Sequence, residues 1–102
     1  MFKPDNLKSL WEAMLVVGIT KLDLTEEKYL LHRSSWRKYM IIFVRLASNS
    51  VNMTYEQISK QLNVSISLCS YYCNSDKYFD RDTYDVVLRR YEKLTNQHLK
   101  LS

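Results

Sequence analysis

At 102 residues, with 46% apolar and 25% charged side chains, the chain is long enough to bury roughly two-thirds of its unfolded surface in one domain, and it needs no disulfide to do so. One Gly and one Pro exclude a fold built on many tight turns and point to mostly helix. A formal charge of +4 and a pI near 9.1 favour a polyanionic partner without naming one.

Leu7, Leu10, Trp11, Met14 and Val17 recur at helical spacing and predict a first amphipathic helix ending near Gly18. The apolar run from Ala13 to Ile19 is too short to cross a membrane, and Asp5 and Asn6 stand where a signal peptide needs a basic lead. The expected location is cytoplasmic. Asp23 with Glu26, or Thr25 alone, can start a short helix through Tyr29, Leu30 and Leu31, with His32 at its surface or end. Ser34 or Ser35 is the expected cap of the next helix, in which Trp36, Met40, Phe43 and Ala47 form a stripe that Ile41, Ile42 and Val44 widen almost all round. So wide an apolar surface in a small domain asks for cover. A homodimer is the expected cover, the alternative being a monomer whose first and last helices wrap it completely.

After a polar break at Asn49 to Asn52, the stretch 53–74 reads as a helix-turn-helix. Thr54 and Gln57 have capping-box spacing, so a helix starts at Tyr55. Ile58 and Leu62 face inward, and Asn63 stands where the chain must turn left-handed. Val64 plugs the turn and Ser65 caps a second helix, whose inward side is Ile66, Cys69 and Tyr72 or Cys73. Ser59 and Cys69 are small enough to let the two helices cross closely. Lys77 to Asp80 form a further break. Asp82 or Thr83 then caps a last helix, 81–98, with Tyr84, Val87, Leu88, Tyr91 and Leu94 on one face and Arg89, Arg90 and Lys93 on the other.

The outward side of the second helix carries Ser65, Ser67, Ser70, Tyr71 and Asn74, short polar groups suited to base edges and phosphates in a major groove. Thr54, Lys60, Lys77 and Arg89 are the expected accessory contacts to DNA. The plain structural alternative is a helical hairpin buried in some other all-α domain, with Leu68 also turned partly outward. A charged helix face such as Arg89, Arg90 and Lys93 is also more often solvated than bound to phosphate.

The string from Met53 to Lys77 resembles the helix-turn-helix of the Trp-repressor-like superfamily. The matching places are the Met53–Thr54 opening, Leu62 before the turn, and Asn74–Ser75 at the end of the second helix. Leu24, Thr25 and Glu27 are similar to the Leu-Thr-Pro-Asp opening of an earlier helix in that family, and Arg81 to Leu94 falls where its last helix lies. The resemblance implies an all-α domain of five to six helices, DNA binding, and dimers interlocked through their N-terminal helices. It does not imply corepressor binding, because Tyr71 stands where tryptophan-binding members have an arginine. Nor does the chain carry the histidine that follows an Arg-Asp pair in the replication-initiator branch of the superfamily; none follows Arg81 and Asp82.

Together these features predict one domain over 1–102: N-terminal helices in 1–48, a helix-turn-helix in 53–76 and a C-terminal helix in 81–98. The expected function is sequence-specific binding of double-stranded DNA in transcription regulation, with 65–75 in the major groove. The rival is a module that docks on another transcription or replication protein without reading DNA. Cys69 and Cys73, four apart on one helix, are poorly placed for a mutual disulfide, and with only His32 and His98 elsewhere they form no zinc pattern. There is no Gly-rich phosphate loop and no nucleophile with an evident base, so the chain is not expected to be an enzyme or to hold a metal or cofactor.

Overall fold

The computed structural model describes the backbone of residues 2–25 and 33–101 and the side chains of 2–25 and 35–96. It is all-α, with six α-helices and no strand among the described residues. In chain order they are α1 (Pro4–Met14), α2 (Lys21–Thr25), α3 (Arg33–Asn49), α4 (Tyr55–Leu62), α5 (Ile66–Asn74) and α6 (Arg81–Leu101).

Pro4, at the first helical position of α1, gives up an amide hydrogen that no helix could use. The helix tightens into a 3-10 turn over Leu15–Val17 and stops at Gly18, whose φ of 76° is the left-handed value that favours glycine. Among the described residues, none beyond its chain neighbours would meet a Cβ at this position within 4 Å, so the backbone angle is what calls for glycine. Helix α2 begins earlier than Asp23 or Thr25 would set it. Thr20 Oγ1 accepts from the Asp23 amide at 3.2 Å, and Asp23 Oδ2 accepts from the Thr20 amide at 2.8 Å. That reciprocal pair starts the helix at Lys21. Its expected continuation through Tyr29, Leu30 and Leu31, and the placing of Glu26, Glu27 and His32, lie outside the described residues.

Helix α3 already runs at Arg33, so Ser34 and Ser35 lie within it and are not its caps. It is the central element: α1, α2, α4, α5 and α6 all pack on it. Met40, Ile41, Ile42, Phe43, Val44, Leu46 and Ala47 are all essentially inaccessible. One chain therefore covers the apolar surface for which a second copy is the other possible cover. Trp11 of α1 stacks on Phe43 with ring centroids 4.1 Å apart, and α6 closes the far side through Val87 and Tyr91. The buried apolar side chains form one cluster.

Helix α6 starts at Arg81 because Asp80, and not Asp82 or Thr83, is its cap: Oδ1 accepts from the Thr83 amide at 3.3 Å and Oδ2 from the Thr83 hydroxyl at 2.7 Å. Tyr84, Val87, Leu88, Tyr91 and Leu94 turn to the core as their spacing predicts, while Arg89, Arg90 and Lys93 are exposed.

Candidate nucleic-acid interface

Helices α4 and α5 and the three residues joining them are built locally. Thr54 Oγ1 accepts from the Gln57 amide at 3.2 Å, and Gln57 Oε1 accepts from the Thr54 amide at 2.9 Å, which satisfies donors at both ends of the first turn. At the other end Asn63 is left-handed at φ 54°, and the Val64 amide reaches back to the Ser59 carbonyl at 3.1 Å, the six-to-one bond of a Schellman ending. Ser65 then caps α5 by accepting from the Leu68 amide at 3.1 Å. Ser59, only 8% exposed, donates to the Glu56 carbonyl, and Cys69 is wholly buried. Both small residues thus lie on the inner sides of their helices.

The pair is held against the core by a residue that no motif singles out. Arg45 of α3 donates through Nε to the Tyr72 carbonyl at 3.1 Å and through a terminal nitrogen to the Ser75 carbonyl. It also pairs with Asp76 at 3.2 Å and lies 4.1 Å from the Phe79 ring centre. A cation at the C-terminus of α5 satisfies carbonyls that the helix leaves open and opposes its dipole. Cys73 adds a weak bond from Sγ to the Val44 carbonyl at 3.8 Å. These ties from α3 reach the last turn of α5 and the residues just after it. Its first turn projects past them, and Ile66, expected on the inward side, is 51% exposed.

Of the residues expected to meet DNA, Ser65, Ser67, Tyr71 and Asn74 are exposed on α5, and Ser70 is half-buried. Their capacities differ. The Ser65 and Thr54 oxygens already accept cap bonds, and the Asn74 amide donates to the Ser70 carbonyl at 2.8 Å. The Ser67 hydroxyl makes no hydrogen bond within the described residues, and Tyr71 is 49% exposed. Lys60 is exposed on α4, 3.5 Å from Glu56 in a solvated i,i+4 pair. Lys77 is exposed just beyond α5. Arg89 is not brought to this group: α6 packs on α1, the 3-10 turn and α3, while α5 packs on α3 and α4.

The fold adds what the sequence did not link. Arg37 and Trp36, from the start of α3, join Leu68, Tyr71 and Tyr72 of α5 and the Lys77–Tyr78 turn around an open cleft of about 380 Å³. The Arg37 guanidinium lies 4.3 Å from the Tyr78 ring centre and the Lys77 ammonium 5.2 Å from it. A hydrogen bond and the charge of Lys77, then Arg37, hold the Tyr78 phenol below its usual pKa. No spacing relates residue 37 to residues 71–78, so only the packing of α5 on α3 reveals the group.

Comparison with protein-family models, curated proteins and solved structures finds no match for this chain. The resemblance to the Trp-repressor-like superfamily therefore rests on the residues quoted for it. Cys69 and Cys73 are free thiols, and burial pushes both above the usual cysteine pKa, which makes them weak nucleophiles at neutral pH. No group of three or more potential metal ligands occurs among the described residues, and no described helix is long and apolar enough to cross a membrane.

Proposed function

We propose that the α4–α5 pair binds double-stranded DNA as a helix-turn-helix, with 65–75 entering the major groove, and that the protein regulates transcription. The observation that carries this reading is the outward face of α5. It is exposed, holds Ser67, Tyr71 and Asn74 side by side, and has no acidic residue anywhere along the helix to repel phosphate. Lys77 lies just past the helix end, beyond Ser75 and the exposed Asp76 that pairs with Arg45, and Arg37 lines the same cleft as Lys77. In this reading Ser67 and Tyr71 reach base edges, while Lys77 and Lys60 hold the backbone. The Lys60–Glu56 pair is no obstacle, since exposed ion pairs contribute only about 0–1 kcal/mol. Arg89, on a different face, is outside the contact set.

A titration on preferred and altered duplexes at several salt concentrations tests this. Tyr71→Ala or Ser67→Ala should reduce discrimination, by roughly 1–3 kcal/mol for each base no longer read. Lys77→Ala should weaken all sequences alike and lower the salt slope by about 0.9. Arg89→Ala should change neither. If the α5 substitutions leave affinity and discrimination untouched in a folded protein, α5 does not read DNA.

The exposure of Ile66, beside half-buried Leu68 and exposed Tyr71, favours a second reading in which α5 docks on a transcription or replication protein. An apolar contact of that kind should be nearly indifferent to salt, whereas duplex binding should weaken steeply.

A further inference from the structure

We infer that the cleft between the start of α3 and the second half of α5 is a binding site for a nucleoside monophosphate. The proposal shares Tyr71 and Lys77 with the reading of duplex DNA but does not rest on it, because Trp36, Arg37 and Tyr78 belong to the cleft and not to the duplex contacts. Its size, about 380 Å³, falls in the range of roughly 300–1,000 Å³ typical of small-molecule sites.

The lining supplies two chemistries at once. Tyr71 and Tyr78, each 49% exposed, offer ring faces beside half-buried Trp36, and rings of this kind stack on any nucleobase. Arg37 and Lys77 converge on the Tyr78 ring, and neither pairs with a carboxylate among the described residues. The nearby acids are engaged elsewhere: Asp76 with Arg45 at 3.2 Å and Asp80 with Lys38 at 3.3 Å. Among the described residues, the cleft therefore holds two cations without a carboxylate partner. A phosphate monoester carries about −1.5 to −2 at neutral pH, which matches that charge better than the single charge of an aromatic carboxylate. Arg37 offers a planar fork to the phosphate oxygens and Lys77 a mobile point charge. The hydrogen bond and charge of Lys77, and then Arg37, also lower the Tyr78 phenol pKa.

The test follows the fluorescence of Trp36 in a Trp11→Phe background. Trp11 Nε1 has no hydrogen-bond partner among the described residues, so that change removes a competing emitter without breaking a bond seen there. AMP, adenosine, inorganic phosphate and a short single-stranded oligothymidylate are titrated separately. AMP should quench saturably, with adenosine and phosphate each at least about tenfold weaker, because each brings only half of the recognition. Arg37→Gln and Lys77→Gln should each weaken AMP about tenfold and leave adenosine unchanged. Tyr78→Asn should weaken both. Asn tolerates the left-handed φ of 66° at that position, so the fold is kept, as circular dichroism will check. Absence of saturable AMP binding, AMP binding indifferent to all three substitutions, or binding of the oligonucleotide alone would overturn the proposal. Ser67→Ala, outside the cleft, should leave AMP affinity unchanged whatever it does to duplex binding, so the two readings fail separately.

Discussion

Arg45 shows how far one side chain can influence the candidate interface without touching a ligand. Its side chain is only 14% exposed, and it ties the end of α5 to α3 through two carbonyls and Asp76. Bonds to a charged donor are worth more than neutral ones, so Arg45→Ala should cost on the order of 2–3 kcal/mol in a denaturant titration. Arg45→Lys should fall between, since an ammonium keeps the charge near the helix end but loses the planar fork. Wild-type stability in Arg45→Ala would mean that α5 is seated by apolar contact alone. Asp80 gives a pH signature. The Thr83 hydroxyl and amide, and then Lys38, hold its carboxyl below the ordinary range. A depressed carboxylate stabilises the fold fully above its unfolded pKa of about 3.9, and that contribution is lost as pH falls through the lowered value. Asp80→Asn should therefore flatten the fall of Tm below about pH 4 while also loosening the cap at neutral pH. An acid limb as steep as that of the wild type would rule Asp80 out as its source.

Helices α4 and α5 depend on two positions with little tolerance. Asn63 is left-handed, where residues other than Gly or Asn are strained by roughly 1–2 kcal/mol, so Asn63→Val should destabilise by about that amount and Asn63→Gly by far less. Ser59 lies buried on the inner side of α4, and Ser59→Leu should overpack it at about 1–3 kcal/mol, read as a lower thermal midpoint. A Ser59→Leu protein that melts like wild type would mean α4 has room on that side. Both limits of α4 and the start of α5 were legible in the sequence, because each is set within a few residues: Thr54 with Gln57, Asn63 with its left-handed turn, Ser65 with the Leu68 amide; the end of α5 is held instead by Arg45 from α3. The starts of α2 and α6 were less so. Several Asp, Ser and Thr residues compete as caps there, and the geometry selects Thr20 and Asp80.

In the molecule as a whole, α3 lies at the centre and is covered by its own chain. The apolar girdle from Met40 to Ala47 that asked for a partner finds cover on α1, α4, α5 and α6. Sedimentation at micromolar concentration is accordingly expected to give the mass of one chain, 12.2 kDa. Twice that mass would place an interface on other surfaces, such as the exposed Leu15 and Val16 of the 3-10 turn.

The sequence by itself determined what short-range chemistry decides. It set the helical class through periodicity and the scarcity of Gly and Pro, the limits of α4 and the start of α5 through their caps, and the inward faces of α1 and α6. It misplaced Ile66, because helical spacing assigns a side but not how far the neighbouring surface extends. Tertiary structure alone decided that α3 is enclosed within one chain, that Arg89 stands apart from the α5 face, and that Arg37 meets Lys77 and Tyr78 around a cleft. These facts depend on which helices lie against which, and that follows from packing all the apolar faces at once rather than from any local run of residues.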